Sequence, residues 1–245
     1  MDASPSERMA AARARARHPL TSQFAEQYSF PFDDFQRAGC QSLEDGRSVL
    51  VAAPTGAGKT IVGEFAAFLA DHTGTRCFYT TPIKALSNQK YQEMVKTYGP
   101  SHVGLLTGDS SINGDAPIVV MTTEVLRNMI YANPDAIKEL GYVVMDEVHY
   151  LADKFRGAVW EEILIHLPER IQVVSLSATV SNAEEFGEWL KSVRGETDVV
   201  LSELRPVPLY QHILIGNRLL DLFVDDGRVN PEIVRLERNS VRRIP

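Results

Sequence analysis

The chain has 245 residues, 44% hydrophobic and 23% charged, with 32 Asp and Glu against 25 Lys and Arg for a net charge of −7. That apolar share excludes disorder over the whole length, and no stretch reaches the roughly 20 apolar residues that span a bilayer. The acidic balance excludes a protein that grips nucleic acid through a bulk basic field, while binding through a few backbone amides and helix ends stays open.

Residues 1–24 begin with an Ala- and Arg-rich run through Arg8, Arg13, Arg15 and Arg17 to Pro19. We read them as a frayed or helical, solvated N-terminal tail without a function of its own. Two cysteines, Cys40 and Cys77, are too few for a disulfide framework and lack the His and Cys neighbours of a structural zinc site. Both are expected to be reduced and buried, in keeping with a cytoplasmic protein and no membrane contact.

From Ser48 onward, short apolar runs alternate with amphipathic stretches: "SVLVAA", "CFYTTP", "IVVMTT", "GYVVMDE" and "QVVSLSAT" are each followed by a helix-length segment. Runs rich in β-branched and aromatic residues that do not alternate with polar ones predict strands buried on both faces. With helical connections between them, the expected fold class is α/β with a doubly wound parallel sheet. In such a sheet the ligand site lies beyond the carboxyl ends of the strands, and these ends read "APTGAGKT", "TTPIKAL", "MTTE", "DEVH" and "SAT". Residues 205–245 break the pattern. They predict an extended, Pro-stiffened exit strand, a hairpin-like turn at Asp226 and Gly227, and a charged ending without a capped element.

The segment Ala53-Pro54-Thr55-Gly56-Ala57-Gly58-Lys59-Thr60 lies between a predicted strand and a predicted helix. Glycine at 56 and 58 lets the backbone curl so that its N–H groups converge on a phosphate, and the next helix N-terminus adds its dipole. Lys59 would reach the β and γ phosphates and Thr60 would hold Mg²⁺. Ala53 stands where the strict motif has its first glycine, which is acceptable if the backbone there is still strand. Farther on, Asp146 and Glu147 follow four apolar residues at a strand end. One acid there would hold the metal of MgATP, and its neighbour would orient and deprotonate the attacking water.

Taken together, "FPFDDFQ", "PTGAGKT", "TPIKALSNQ", "TGD", "MTTEVLR", "DEVH" and "SAT" resemble a superfamily 2 helicase core. The wording is closest to the superkiller-type DExH-box RNA helicases, the branch that includes the exosome-associated helicases. The resemblance runs over about residues 25–215, with 25–204 similar to the first RecA-like domain of a P-loop NTPase.

The resemblance implies roles at the matching positions. Gln36 would read the adenine edge and Phe30 would stack on the base. His149, Ser177 and Thr179 would couple nucleotide state to movement between domains. Pro82, Lys84, Ala85, Thr107, Gly108, Thr122, Thr123 and Glu124 would line one strand's sugar–phosphate backbone. Small residues and helix N-termini let amides approach phosphates without a basic surface, so the acidic net charge is no obstacle. The expected partner is single-stranded nucleic acid, RNA before DNA, and the expected cofactors are ATP and Mg²⁺. A second RecA-like domain carrying arginine fingers is expected in the full-length chain, so residues 1–245 alone should bind ATP weakly and hydrolyse it slowly. A DNA helicase of the related repair branch and a nucleotide-gated binding module that does not unwind are the alternatives. A small-molecule kinase would share the phosphate loop but not "DEVH" and "SAT".

Overall fold

A computed structural model describes residues 9, 12–13, 15–132, 134–148, 157–178, 183–224 and 227–241. They divide into two compact units, Met1–Leu204 and Arg205–Pro245.

The first unit is built on an eight-stranded sheet. Its strands are β1 (Ser48–Ala52), β2 (Arg76–Thr81), β3 (Val103–Thr107), β4 (Ser110–Ile112), β5 (Ile118–Thr122), β6 (Leu140–Met145), β7 (Gln172–Ser177) and β8 (Thr197–Leu201). They lie in the order β4-β3-β5-β2-β6-β7-β1-β8. Every pairing is parallel except the β3–β4 edge hairpin, so all seven parallel strands end on one rim. The expected doubly wound parallel sheet is the observed one. The helices are α1 (Pro19–Ala25), α2 (Asp34–Glu44), α3 (Thr60–Thr73), α4 (Lys84–Tyr98), α5 (Thr123–Ala132), α6 (Gly157–His166) and α7 (Ala183–Arg194), with a 3₁₀ turn at Pro134–Ile137.

Successive side chains of a strand point to opposite faces, and here both faces are packed. On β1, Val49 and Val51 join a core with Phe65, Leu69 and Tyr79 beneath α2 and α3, whereas Leu50 and Ala52 join Trp160, Ile163 and Leu126 beneath α5 and α6. That two-sided burial is why the central strands read as unbroken apolar runs. The strands without such a run lie toward the edges. β8 carries only two consecutive valines and is half-buried, β4 is three residues of mostly exposed edge, and Gly104 interrupts β3. A Cβ at Gly104 would lie 2.1 Å from the carbonyl oxygen of Asn113, so the β3–β4 hairpin can close only over a glycine.

Two parts of the chain differ from expectation. Residues 18–24 are not solvated tail: Phe24 is 2% exposed and its ring lies 5.2 Å from those of Phe65 and Phe68. Pro19 opens α1, and the Glu44 carboxylate accepts hydrogen bonds from the N–H groups of Leu20 (2.9 Å) and Thr21 (2.8 Å), so one helix's last residue caps the start of another. The sequence pattern missed this because the cap comes from a residue more than twenty positions away.

In the second unit, β9 (His212–Ile215) pairs antiparallel with β10 (Arg218–Asp221), and a single bridge joins Phe223 and Val229 around Gly227. The ending expected to lack a capped element instead forms helix α8 (Pro231–Val241). Pro231 occupies its first turn, and Asn230 Oδ1 accepts from the N–H of Glu232 at 3.0 Å. Among the described residues, no helix is long and apolar enough to cross a membrane.

If α1 belongs to the folded body, Phe24→Ala should cost about 3–5 kcal/mol, the range for truncating a buried phenylalanine. Urea titration followed by circular dichroism reads this, and a loss near zero would return residues 18–24 to the solvent.

Candidate nucleotide and nucleic-acid site

The site forms where the apolar strands run out. β1 ends at Ala52, and the ladder continues one residue further through the Ala53 N–H, which donates to the Ser177 carbonyl at 3.1 Å. Ala53 lies just past the strand but is still hydrogen-bonded to β7, an extended setting in which alanine stands where the strict motif has glycine. The chain then turns, with the Ala57 N–H donating to the Pro54 carbonyl at 3.1 Å, and enters α3 at Thr60. Gly56 and Gly58 take φ of 84° and 82°, the left-handed region that lets successive N–H groups form a concave anion cradle. At this φ any residue with a Cβ is strained, and a Cβ at Gly58 would also sit 2.7 Å from the end of the Gln36 side chain, which would have to shift. Lys59, at the mouth of the helix, is 5% exposed. Thr55 and Gly56 form the exposed tip of the loop, with Pro54 and Ala57 buried beneath it.

Asp146 and Glu147 stand at the end of β6, two strands away, with β7 and its terminal Ser177 in between. Thr60, Glu64, Thr81, Lys90, Asp146 and Glu147 line one cavity of about 350 Å³. Asp146 is 8% exposed and held on both oxygens. Tyr79 Oη donates to Oδ2 at 2.9 Å, and the N–H of Glu147 donates to Oδ1 at 2.9 Å. Its own N–H donates to the Thr80 carbonyl at 3.0 Å, continuing the β2–β6 ladder. Glu147 adopts φ 57°, an uncommon conformation for a residue with a side chain, which breaks the strand direction immediately after the metal-binding candidate. Burial pushes the Asp146 carboxyl above the ordinary carboxylate range and Glu147 adds to the push. The Tyr79 hydroxyl and the charges of Lys90 and Lys59 pull the other way.

This donor set fits a nucleotide with its metal. A left-handed cradle at a helix N-terminus receives phosphate. One hydroxyl and one carboxylate on a shared cavity suit Mg²⁺, which keeps most of its waters and takes few protein ligands. No group of three or more His, Cys, Asp or Glu that could hold a metal occurs among the described residues.

Other sequence-assigned residues fall as follows. Gln36 is buried and engaged locally. Its Oε1 accepts the Asp33 N–H at 2.9 Å in a capping box, and its Nε2 donates to the Gly58 carbonyl at 3.2 Å, so it braces the phosphate loop from behind. Phe30 is 50% exposed, edge-on to Tyr28 at 5.4 Å. His149 and Thr179 lie outside the described residues. Tyr79, Glu64 and Lys90 are site residues that the sequence reading missed. The one available signal was helical spacing, since Glu64 follows Thr60 by four residues.

The candidate strand contacts gather at the ends of adjacent strands β3, β5 and β2. Thr81 and Thr122 are direct partners, and Leu106 pairs with Met121, which brings Thr107 beside Thr122. Thr107, Thr122 and Thr123 are buried with Pro82, while Lys84, Ala85 and Gly108 are exposed. Thr123 Oγ1 donates to the Thr81 carbonyl at 3.1 Å, tying two of these ends together. Asp109 joins them from above: Lys84 Nζ and Thr107 Oγ1 both donate to its carboxylate, which lowers its pKa. Glu124 starts α5.

The family model for DEAD/DEAH box helicases matches residues 33–186. The chain belongs to this family. It is 60% identical over 219 residues to a probable helicase, HelY, of Mycobacterium leprae, covering 87% of this chain and 24% of that protein. It is 44% identical over 211 residues to the human exosome RNA helicase MTR4, covering 85% of this chain and 20% of that protein. These relatives place it in the superkiller-type branch, at the first RecA-like domain. The chain spans a quarter or less of either protein. A structure of the DUF1998 helicase MrfA bound to DNA and AMPPNP shares the fold, with a TM-score of 0.61 at 20% identity over 74% of this chain and 28% of that one.

A carboxyl whose pKa rises on folding favours the folded state only while protonated, and that contribution is lost as pH climbs through the folded-state pKa. Asp146→Asn is therefore expected to stabilise the nucleotide-free protein at pH 7, with the advantage closing below about pH 4 where the wild-type carboxyl is also neutral. Denaturation midpoints across pH measure this, and a variant less stable than wild type at pH 7 would contradict it.

Proposed function

We propose that this chain is the ATP-binding lobe of an ATP-dependent RNA helicase that couples hydrolysis to translocation along RNA and to its unwinding. The observation that carries this reading is the shared cavity, on which the first helical residue after the phosphate loop and the acid pair meet. Backbone amides around Gly56 to Lys59 receive the triphosphate, and Lys59 neutralises its terminal charge. Thr60 and Asp146 would hold Mg²⁺, which when bound polarises the phosphate oxygens. Glu147 accepts the proton of the attacking water. Phe30 and Gln36 would approach the base, for which Gln36 must give up part of its bracing of Gly58. Ser177, directly beside Ala52 in the ladder, together with His149 and Thr179, would report nucleotide state to a second RecA-like lobe.

That second lobe would bring arginines to the γ-phosphate, a contribution of about 10³–10⁵ in rate among P-loop hydrolases. The lobe alone is then expected to bind ATP weakly and turn it over slowly. Single-stranded RNA would lie across the ends of β3, β5 and β2, read through its backbone with little sequence preference. Two buried, separate thiols suit a reducing compartment, and we place the protein in the cytoplasm.

In the full-length protein, Glu147→Gln should keep ATP affinity while turnover falls by about 10²–10⁴, the usual contribution of a general base. Lys59→Ala should instead weaken nucleotide binding itself. Calorimetry and steady-state ATPase assays separate the two, and unchanged affinity in Lys59→Ala would remove that residue from the phosphate site. Competition between RNA and DNA strands of one sequence tests the substrate. Equal affinity with efficient DNA unwinding would overturn the preference for RNA.

A further inference from the structure

Helix α4 begins at Lys84, among the proposed strand contacts, and carries Lys90 about 9 Å farther along its axis. Lys90 is 8% exposed. Its Nζ lies 3.2 Å from Glu64 Oε1, 2.7 Å from Glu93 Oε2 and 5.4 Å from the centre of the Tyr79 ring. Burial works against its charge, yet the two carboxylates hold its pKa above the ordinary lysine value. Glu64 stands one turn after Thr60 on α3 and accepts the Tyr28 hydroxyl at 2.8 Å, while Tyr79 donates to Asp146.

One buried cation thus joins the helix of the strand contacts, the helix that starts at the phosphate loop, and the phenol that holds the metal-binding candidate. Glu93 lies on α4 with Lys90 and moves with it, whereas Glu64 is on α3 and Tyr79 on β2. Movement of α4 against α3 therefore stretches the Lys90 contacts to Glu64 and to the Tyr79 ring, or carries those side chains along.

We infer that Lys90 is a positioning residue linking strand contact at the start of α4 to the helix of the phosphate loop through Glu64 and to the carboxylate of Asp146 through Tyr79. The inference rests on the helicase reading above and adds a route by which nucleic acid and nucleotide sense one another. Such linkage is reciprocal, so it is measurable as binding without turnover.

The test uses the full-length protein and fluorescence anisotropy of a labelled single-stranded RNA, with and without Mg²⁺ and a non-hydrolysable ATP analogue. In wild type the nucleotide should change the RNA Kd by about tenfold, within the usual range for coupled sites. In Lys90→Gln that ratio should fall to within about twofold of one while the nucleotide-free RNA Kd stays near wild type, and Lys90→Arg should restore most of the ratio. If Lys90→Gln does not fold, as read by circular dichroism, Tyr79→Phe takes its place: it keeps the ring, drops the hydroxyl from Asp146 and should lose the same coupling. Wild-type coupling in Tyr79→Phe and in a folded Lys90→Gln would overturn the inference and leave the helicase reading intact. Wild-type protein that binds no RNA at all would overturn the helicase reading and this inference with it.

Discussion

A parallel sheet covered on both faces leaves little room for charged side chains along its central strands, so its chemistry gathers at the rim where the chain leaves the sheet. That constraint organises this molecule. β1, β7 and β6 are adjacent and parallel, so the phosphate loop, Ser177 and the acid pair emerge side by side even though more than eighty residues separate the loop from the acid pair. The same constraint sets β3, β5 and β2 next to one another at the other half of the rim, where the proposed strand contacts lie. One architectural rule therefore supplies both halves of the proposed machine, and α4 packs on the strands of the second half.

The rim carries opposing demands. Asp146 is held above its ordinary pKa by burial and kept in place by a phenol and a backbone amide. Glu147 pays in backbone strain for facing the cavity. Neither arrangement serves the stability of the isolated fold, and both make sense if a cation and a phosphate chain arrive to complete them. Stability is supplied elsewhere, by the Phe24, Phe65 and Phe68 cluster and by Trp160 and its neighbours on the other face.

The central strands and the phosphate loop were legible in the sequence because both rest on local pattern: five apolar runs, two glycines before a lysine and a threonine, two acids after a strand. Edge strands β4 and β8 were not legible, since an edge needs only one buried face and carries no continuous apolar run. The docking of α1 was hidden for a different reason. Its cap, Glu44, and its apolar partners, Phe65 and Phe68, are remote in sequence, and an arginine-rich approach masks one buried phenylalanine. Gln36 was placed by resemblance at the base. Its bond to Asp33 is a capping box that follows from the spacing of the two residues, whereas its bond to Gly58 depends on the loop's fold and could not be read from the sequence. The Tyr79 hydroxyl on Asp146 likewise arises from a tertiary contact between two strands that each looked purely apolar.

The exposed ammonium of Lys84 already has an anion of its own in Asp109. A phosphate arriving there would displace a carboxylate of the protein rather than a loosely held ion from the solvent, and would take over a charge that is already balanced. Attraction at long range is then small, and the gain from releasing condensed cations is largely offset by freeing Asp109. At this one position, phosphate binding would then add little to the dependence on ionic strength.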